Sequence, residues 1–346
     1  MSLHQHSCFS SLDGWSTVNE IANRTLEIGR SYSGLTDHGV VAGHLEFDKA
    51  MRKRGINPVF GAELYAGINF NNLKKGERDQ AHLIALAMTD EGLKNLWRLV
   101  NATADRDHFH HVGRVSQEDI VKYKEGIIFT SACPLGLVPK GLLRGDDTHL
   151  NWYLDNLGDN FRIEITTYPG DAEFKDMDSE GEEATVTPRL INELLITAAD
   201  ERGVPVTYGD DGHYAFPKDF EKHDMYLAAQ TRQSIYTPVE ERKMYHPPNA
   251  MCIKDEKMVR EAFHYLPKKK VDEVIANTHA VGEAADAHLP TVDRPHLPVF
   301  IPTECPWIDS EDKRDATALF TDLVGEGIDR IYSGRARRGG VDQSHA

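Results

Sequence analysis

Leu3-His4-Gln5-His6-Ser7 opens the chain, and Thr17-Val18-Asn19-Glu20 follows it. In an extended strand, residues two apart share a face, so His4 and His6 can present two imidazoles to one point. The second stretch reads as a capping box, with Val18, Ile21, Ala22 and Leu26 at helical spacing before Gly29. Strand then helix is the unit that the rest of the chain repeats. Imidazoles combined with carboxylates suit zinc, manganese or iron better than calcium. With seventeen histidines in the chain, one His-x-His pair does not define a site by itself; residues downstream must add to it.

They do so at regular intervals. A short strand over 32–36 delivers Asp37-His38-Gly39, a helix is predicted over 44–54, and a strand over 58–65 carries Glu63. Residues 81–87, with His82 near the start, form the next strand. Thr89 then caps a helix whose Leu93, Leu96, Trp97 and Val100 share a face. Strands at 126–131 and 161–165 follow, the first ending at Cys133-Pro134. Thr187 caps a helix with Pro188 in its first position, closing by Gly203, and a strand over 204–208 runs into Asp211-Gly212-His213. Alternation of this kind predicts parallel strands covered by helices, with functional side chains on the loops after the strands. Asp37, His38, Cys133, Asp211 and His213 obey that placement. His4, His6 and His82 sit within or near the start of their strands and obey it only in part.

Composition narrows the function classes. The chain has 346 residues, 40% hydrophobic and 27% charged, as in ordinary globular proteins. No apolar run approaches bilayer length and no basic-then-apolar start is present, so a cytoplasmic protein without a membrane partner is expected. Cys8, Cys133, Cys252 and Cys305 form no Cys-x-x-Cys pair, against a disulfide framework or zinc ribbon. With 39 basic and 55 acidic residues the net charge is -16, opposite to the footprint of a protein that grips nucleic acid unaided. Any contact with DNA must be local, metal-assisted or delegated.

His4-x-His6, Asp13, Thr36-Asp37-His38-Gly39, Gly61-x-Glu63, His82, Cys133 and Asp211-x-His213 resemble, in order and spacing, the metal motifs of the polymerase and histidinol phosphatase (PHP) superfamily. The stretches His82-Leu83, Gly92-Leu93-Lys94-Asn95-Leu96, Cys133-Pro134-x-Gly136 and Asp211-Gly212-His213-Tyr214 are similar to the PHP domain of bacterial DNA polymerase III alpha subunits. The resemblance covers roughly residues 1 to 300. It implies an α/β fold, a distorted (βα)7 TIM-like barrel with a C-terminal helical extension, holding two or three divalent ions (zinc, manganese or iron). Carried over by position, His4, His6, Glu63 and Asp211 hold one ion. Glu63 bridges to a second held by His82 and Cys133, and Asp13, His38 and His213 hold a third. Glu63, Asp37 and His38 are the implied catalytic residues. The implied reaction is phosphodiester hydrolysis, 3′ to 5′ on a DNA end.

Some residues read in more than one way. Asp37 can cap a turn or orient His38 rather than ligate, and Cys133 can be a small buried hydrophobe. Asp107-His108-Phe109-His110-His111 and the acidic stretch between Gly170 and Pro188 read as solvated loops, and Lys268-Lys269-Lys270 and Arg335-x-Arg337-Arg338 as surface. The expected domains are 1–290, the PHP phosphoesterase, and 291–346, a linker, an amphipathic helix over 311–332 and a disordered tail. No polymerase palm is read. The chain is then expected to be a hydrolase of the replication machinery, either standing alone or as one piece of a split replicase whose polymerase core is a separately encoded partner. A non-catalytic scaffold for such a core and a small-molecule phosphatase like histidinol-phosphate phosphatase are the alternatives.

Overall fold

Where apolar runs alternate with capped helices, strands collect into one sheet and helices cover its outside. In the computed structural model, which describes residues 3–68, 70, 79–177, 183–290 and 315–333, the sheet strands are β1 (Tyr32–Leu35), β2 (Asn57–Ala66), β3 (Ala81–Ala87), β4 (Ile127–Thr130), β5 (Phe161–Thr166) and β6 (Val206–Gly209). They lie side by side in chain order. The pairs β1–β2, β4–β5 and β5–β6 are parallel. β3 is antiparallel to both β2 and β4, which corrects the expectation of parallel pairing throughout. Antiparallel neighbours, unlike parallel ones, need no crossover connection, so strands consecutive in the chain can pair this way.

The N-terminal segment closes this sheet into the seven-staved, distorted barrel that the resemblance implies. Thr36 N donates to Gln5 O at 2.8 Å beyond β1, while His6 N donates to Gly212 O at 2.8 Å beyond β6. Gln5 pairs in parallel with Gly212 as a single bridge rather than a full strand. The segment can lie so close to β1 because Gly34 has no side chain: a Cβ there would stand 2.1 Å from Leu3 O. Gly209 serves the other side, where a Cβ would meet Glu164 Oε1 at 2.0 Å.

Caps set the covering helices where the sequence predicts them. Thr17 and Glu20 form a reciprocal capping box on the helix Val18–Glu27. Thr89 accepts from Gly92 N, and Thr187 accepts from Leu190 N ahead of Pro188, with Gly203 left-handed at φ 67° as the stop. Their apolar faces, among them Ile21, Phe47, Met51, Leu96, Leu99, Ile191 and Leu195, are buried in one core. The helix Lys268–Ala284, not anticipated from the sequence, packs across β6 and β1 outside the closing segment. Its Lys270 pairs with Asp200 at 2.8 Å and is not free surface.

Two stretches read as loops carry structure. Arg106–His108 is a 3-10 turn leading to a small hairpin of Phe109–His110 with Val112–Gly113. His108 faces Asp119 at 3.2 Å there. In the acidic stretch, Phe174–Met177 pairs antiparallel with Glu183–Val186; its positions 178–182 lie outside the described residues. The chain divides into two compact units, Met1–Leu289 and Pro290–Ala346. In the second, the helix Ala316–Ile328 is capped by Asp315, with Leu319 buried and Phe320, Leu323, Val324 and Ile328 exposed. Positions 311–314 of the expected amphipathic helix, the expected tail and Arg335, Arg337 and Arg338 lie outside the described residues.

Gly34→Ala is expected to destabilise the protein by about 1–3 kcal/mol through overpacking, read as a lower urea midpoint with unchanged slope. His44 supplies a pH signature. It is buried, its Nε2–H donates to Gly61 O at 2.9 Å, and burial pushes its pKa down to about 4. The folded state therefore disfavours the charged form, and stability falls as pH drops from ~6.5, the unfolded value, toward 4. Between pH 7.5 and 4.5, wild type should lose roughly 2–3 kcal/mol more unfolding free energy than His44→Gln. Equal losses would remove His44 from the acid response.

Candidate metal centre

Each residue read as a ligand reaches the barrel mouth for a local reason. His4 and His6 flank Gln5, which pairs with Gly212, so both rings fall to one side of the closing segment, 5.2 Å apart. Asp37 and His38 follow β1, Cys133 follows β4, and Asp211 and His213 follow β6. Glu63 lies inside β2, but β2 runs on past the end of β1, and Glu63 bridges to His38. His82 stands at the start of β3. Because β3 is antiparallel, its start lies at the end where its neighbours finish, and the apparent exception to the placement rule disappears.

Glu63 is the hub. It is fully buried, with His38 Nδ1 at 2.5 Å, His82 Nδ1 at 2.7 Å, His4 Nε2 at 3.3 Å and His6 Nε2 at 3.7 Å from its two oxygens. Asp211 Oδ1 lies 3.2 Å from both His4 Nε2 and His6 Nε2. Asp13 reaches His38 Nε2 at 3.3 Å and His213 Nε2 at 3.6 Å. Cys133 Sγ is 3.4 Å from His82 Nδ1. All nine residues read as metal ligands thus meet in one cleft.

The donor set fits divalent cations. Both Glu63 oxygens, Asp13 Oδ1, Asp211 Oδ1, His6 Nε2 and His38 Nδ1 are buried without a hydrogen-bond partner among the described residues, although they crowd one another. Buried polar atoms are ordinarily satisfied, so a convergent set of unsatisfied ones is a donor set that a cation would satisfy. Three groups have ligand atoms mutually within 4.8 Å: His4, His6 and Asp211; Glu63, His82 and Cys133; and His6, His38 and His213. The third group differs from the expected trio in containing His6, while Asp13 faces His38 and His213 from outside it.

Electrostatics agree with a site short of positive charge. Burial alone would raise the Glu63 and Asp211 carboxyls; the neighbouring imidazoles, His82 and His38 for Glu63 and His4 and His213 for Asp211, hold both well below the usual range. Burial would lower His4, but Asp211 and Glu164 hold it well above its ordinary value. His6 goes the other way, to about 3, through burial and the adjacent His38 and His213. Burial with Asp211 and Glu63 nearby pushes the Cys133 thiol up, so only a cation would draw it to the thiolate.

Behind the cleft lies an orienting layer, mostly missed in the sequence. His6 Nδ1–H donates to Ser10 Oγ at 3.0 Å, and Ser10 Oγ donates to Asp37 Oδ1 at 2.8 Å. Asp37 also accepts from Ser7 N at 2.7 Å. Its carboxylate is thereby hydrogen-bonded to the turn after His6, the arrangement that an orienting group would have. His213 Nδ1–H donates to Asp211 O at 2.9 Å. His4 Nδ1 meets Glu164 Oε1 at 2.7 Å, and Thr130 Oγ1 donates to Glu164 Oε2 at 2.5 Å. Each of these bonds occupies Nδ1 and leaves Nε2 facing the cleft. Glu164 sits on the polar side of the alternating strand Phe161–Thr166, a pattern that reads equally as a solvent face. Tyr168, whose hydroxyl donates to Asp211 Oδ2, gave no signal at all. In metal-free protein, Glu164→Ala should cost about 3–5 kcal/mol, because it leaves a buried His4 and Thr130 without their acceptor. A urea midpoint matching wild type would show that Glu164 supports nothing.

A family model described as the PHP domain matches residues 2–168. The chain is 31% identical over 310 residues to DNA polymerase III subunit alpha of Borreliella burgdorferi, covering 87% of this chain and 25% of that protein. It is 28% identical over 355 residues to DNA polymerase III subunit alpha of Chlamydia pneumoniae, covering 96% and 28%. The chain therefore spans about a quarter of the length of the curated relatives it matches. Among solved structures, a two-domain protein from Bacteroides vulgatus containing a predicted PHP-like metal-dependent phosphoesterase aligns at 16% identity with a TM-score of 0.36, covering 59% of this chain and 49% of that one. The motifs, the barrel and the polymerase relatives lead to one conclusion: residues 2–168 carry a PHP domain, and the chain is related over most of its length to the alpha subunits of bacterial DNA polymerase III.

Proposed function

We propose that residues 1–290 form a metal-dependent phosphodiesterase that removes nucleotides from DNA 3′ ends during replication, alongside a separately encoded polymerase core. The observation that carries this reading is the complete donor set around Glu63, whose two buried oxygens are approached by histidines from three different staves. Two or three zinc, manganese or iron ions fit that set. When bound, such ions lower the pKa of a coordinated water toward ~7 and offset charge on phosphoryl oxygens. His4, His6, Glu63 and Asp211 would hold one ion, Glu63, His82 and Cys133 a second, and Asp13, His38 and His213 a third.

The residues of the chain do the rest. Glu63 keeps its negative charge between the sites, Glu164 and Ser10 fix the His4 and His6 tautomers, and Tyr168 holds Asp211 in place. A metal-held phosphoryl group also resolves the conflict between a net charge of -16 and a polyanionic substrate. Exposed Phe320, Leu323, Val324 and Ile328 on the helix Ala316–Ile328 support an apolar contact with the polymerase core.

Purified protein loaded with Mn²⁺ or Zn²⁺ should shorten a labelled single strand from its 3′ end, and Glu63→Gln should abolish this with the melting temperature of the metal-free protein largely kept. Asp211→Asn should behave likewise. Equal cleavage by wild type and both variants would identify a contaminant. No cleavage of single strands, primed duplexes or mismatched ends by metal-loaded wild type would replace the enzyme with a scaffold.

A further inference from the structure

Above the cluster, a cavity of about 350 Å³ opens beside His38, His82, Asp211 and His213. Its size is at the low end of small-molecule pockets, ~300–1,000 Å³, enough for one nucleoside but not for a run of them. Beyond the proposed ligands, its wall includes Tyr168, Met244, Tyr245, His246 and Met251, with the carboxylate of Glu173 as its one further acidic group. No lysine or arginine lines it among the described residues. A wall without lysine or arginine, and with Glu173 in it, offers a second phosphate no cationic side chain, which disfavours a polyphosphate or a sugar bisphosphate. Aromatic, proline and methionine side chains instead suit a neutral planar group.

The wall is also held in place. Tyr245 stands 5.6 Å from the Arg242 guanidinium and 6.5 Å from the Phe220 ring, and Arg242 is itself tied to Asp224 at 2.5 Å. Tyr168 is anchored through its hydroxyl on Asp211. His246 lines the same cavity, and its ring nitrogens make no hydrogen bond among the described residues, which leaves them for a polar edge. Held aromatic side chains beside polar groups such as His246 and Glu173 match a nucleobase, whose faces stack and whose edge hydrogen-bonds.

We propose that this cavity is a nucleobase subsite, taking the base of the 3′-terminal nucleotide while its phosphate lies at the cluster. The inference rests on the phosphodiesterase reading for the position of the phosphate, but the base preference is testable without turnover. Calorimetric titration of the full metal-loaded chain would compare dTMP with 2-deoxyribose 5-phosphate, which carries the same phosphate and no base. Stacking on one aromatic wall predicts roughly tenfold or tighter binding of dTMP. Tyr245→Ala and His246→Ala should each narrow that ratio, while Tyr245→Phe keeps it. Equal affinity for the two ligands, no binding of dTMP, or a ratio untouched by both alanine variants overturns the subsite. Cleavage assays on strands ending in a normal or an abasic 3′ residue separate the two ideas. Equal rates sink the subsite alone, whereas a retained dTMP preference with no cleavage of either strand sinks the phosphodiesterase and leaves the subsite standing.

Discussion

Glu63 imposes the constraint on which the rest of the barrel depends. A fully buried carboxylate costs several kcal/mol unless positive charge surrounds it. Here the surrounding groups come from the closing segment (His4, His6), the loop after β1 (His38) and the start of β3 (His82). No single element can satisfy it. The barrel therefore closes around its own least soluble group, and Gly34, which admits the closing segment, and Gly209, which leaves room for the Glu164 carboxylate behind His4, belong to the site as much as to the fold.

Precision at the cluster is delegated to residues outside it. Histidines bind cations through a nitrogen that carries no proton, so each ring must be told which nitrogen to keep protonated. Glu164 does this for His4, Ser10 backed by Asp37 for His6, and the Asp211 carbonyl for His213. The acceptors differ in kind, yet the outcome is the same: Nε2 turned inward. Two rings depart from this: His82 turns Nδ1 to Glu63, and His38 has one nitrogen on Glu63 and the other on Asp13. It stands between the two carboxylates rather than in front of one.

The reversed strand β3 explains how so many ligands fit one mouth. A wholly parallel barrel would place the first residues of every strand at the far end. By turning β3 over, the chain brings His82 to the end where Cys133, Asp211 and His213 leave their strands. Its partner Cys133 then meets it at hydrogen-bond distance across the β3–β4 pair. The same reversal lets Glu63 face His82, because antiparallel pairing with β2 brings Ile84 opposite Glu63 and leaves His82 opposite Tyr65, one pleat along.

Local chemistry alone determined the helix starts and stops. Thr17 with Glu20, Thr89, Thr187 with Pro188, and Gly203 act through hydrogen bonds and φ values within a few residues, so they can be read directly from the chain. The residue types of the cluster were legible too, since His, Asp, Glu and Cys recur after apolar runs in an order that resembles a known family. The direction of β3 was not, because strand polarity depends on how the chain between strands travels, which period-2 patterning does not record. Nor were Glu164, Ser10 and Tyr168. A polar residue on an alternating strand looks the same whether it faces solvent or a buried imidazole, and only tertiary contact across many residues of sequence, as between His4 and Glu164, decides which it is.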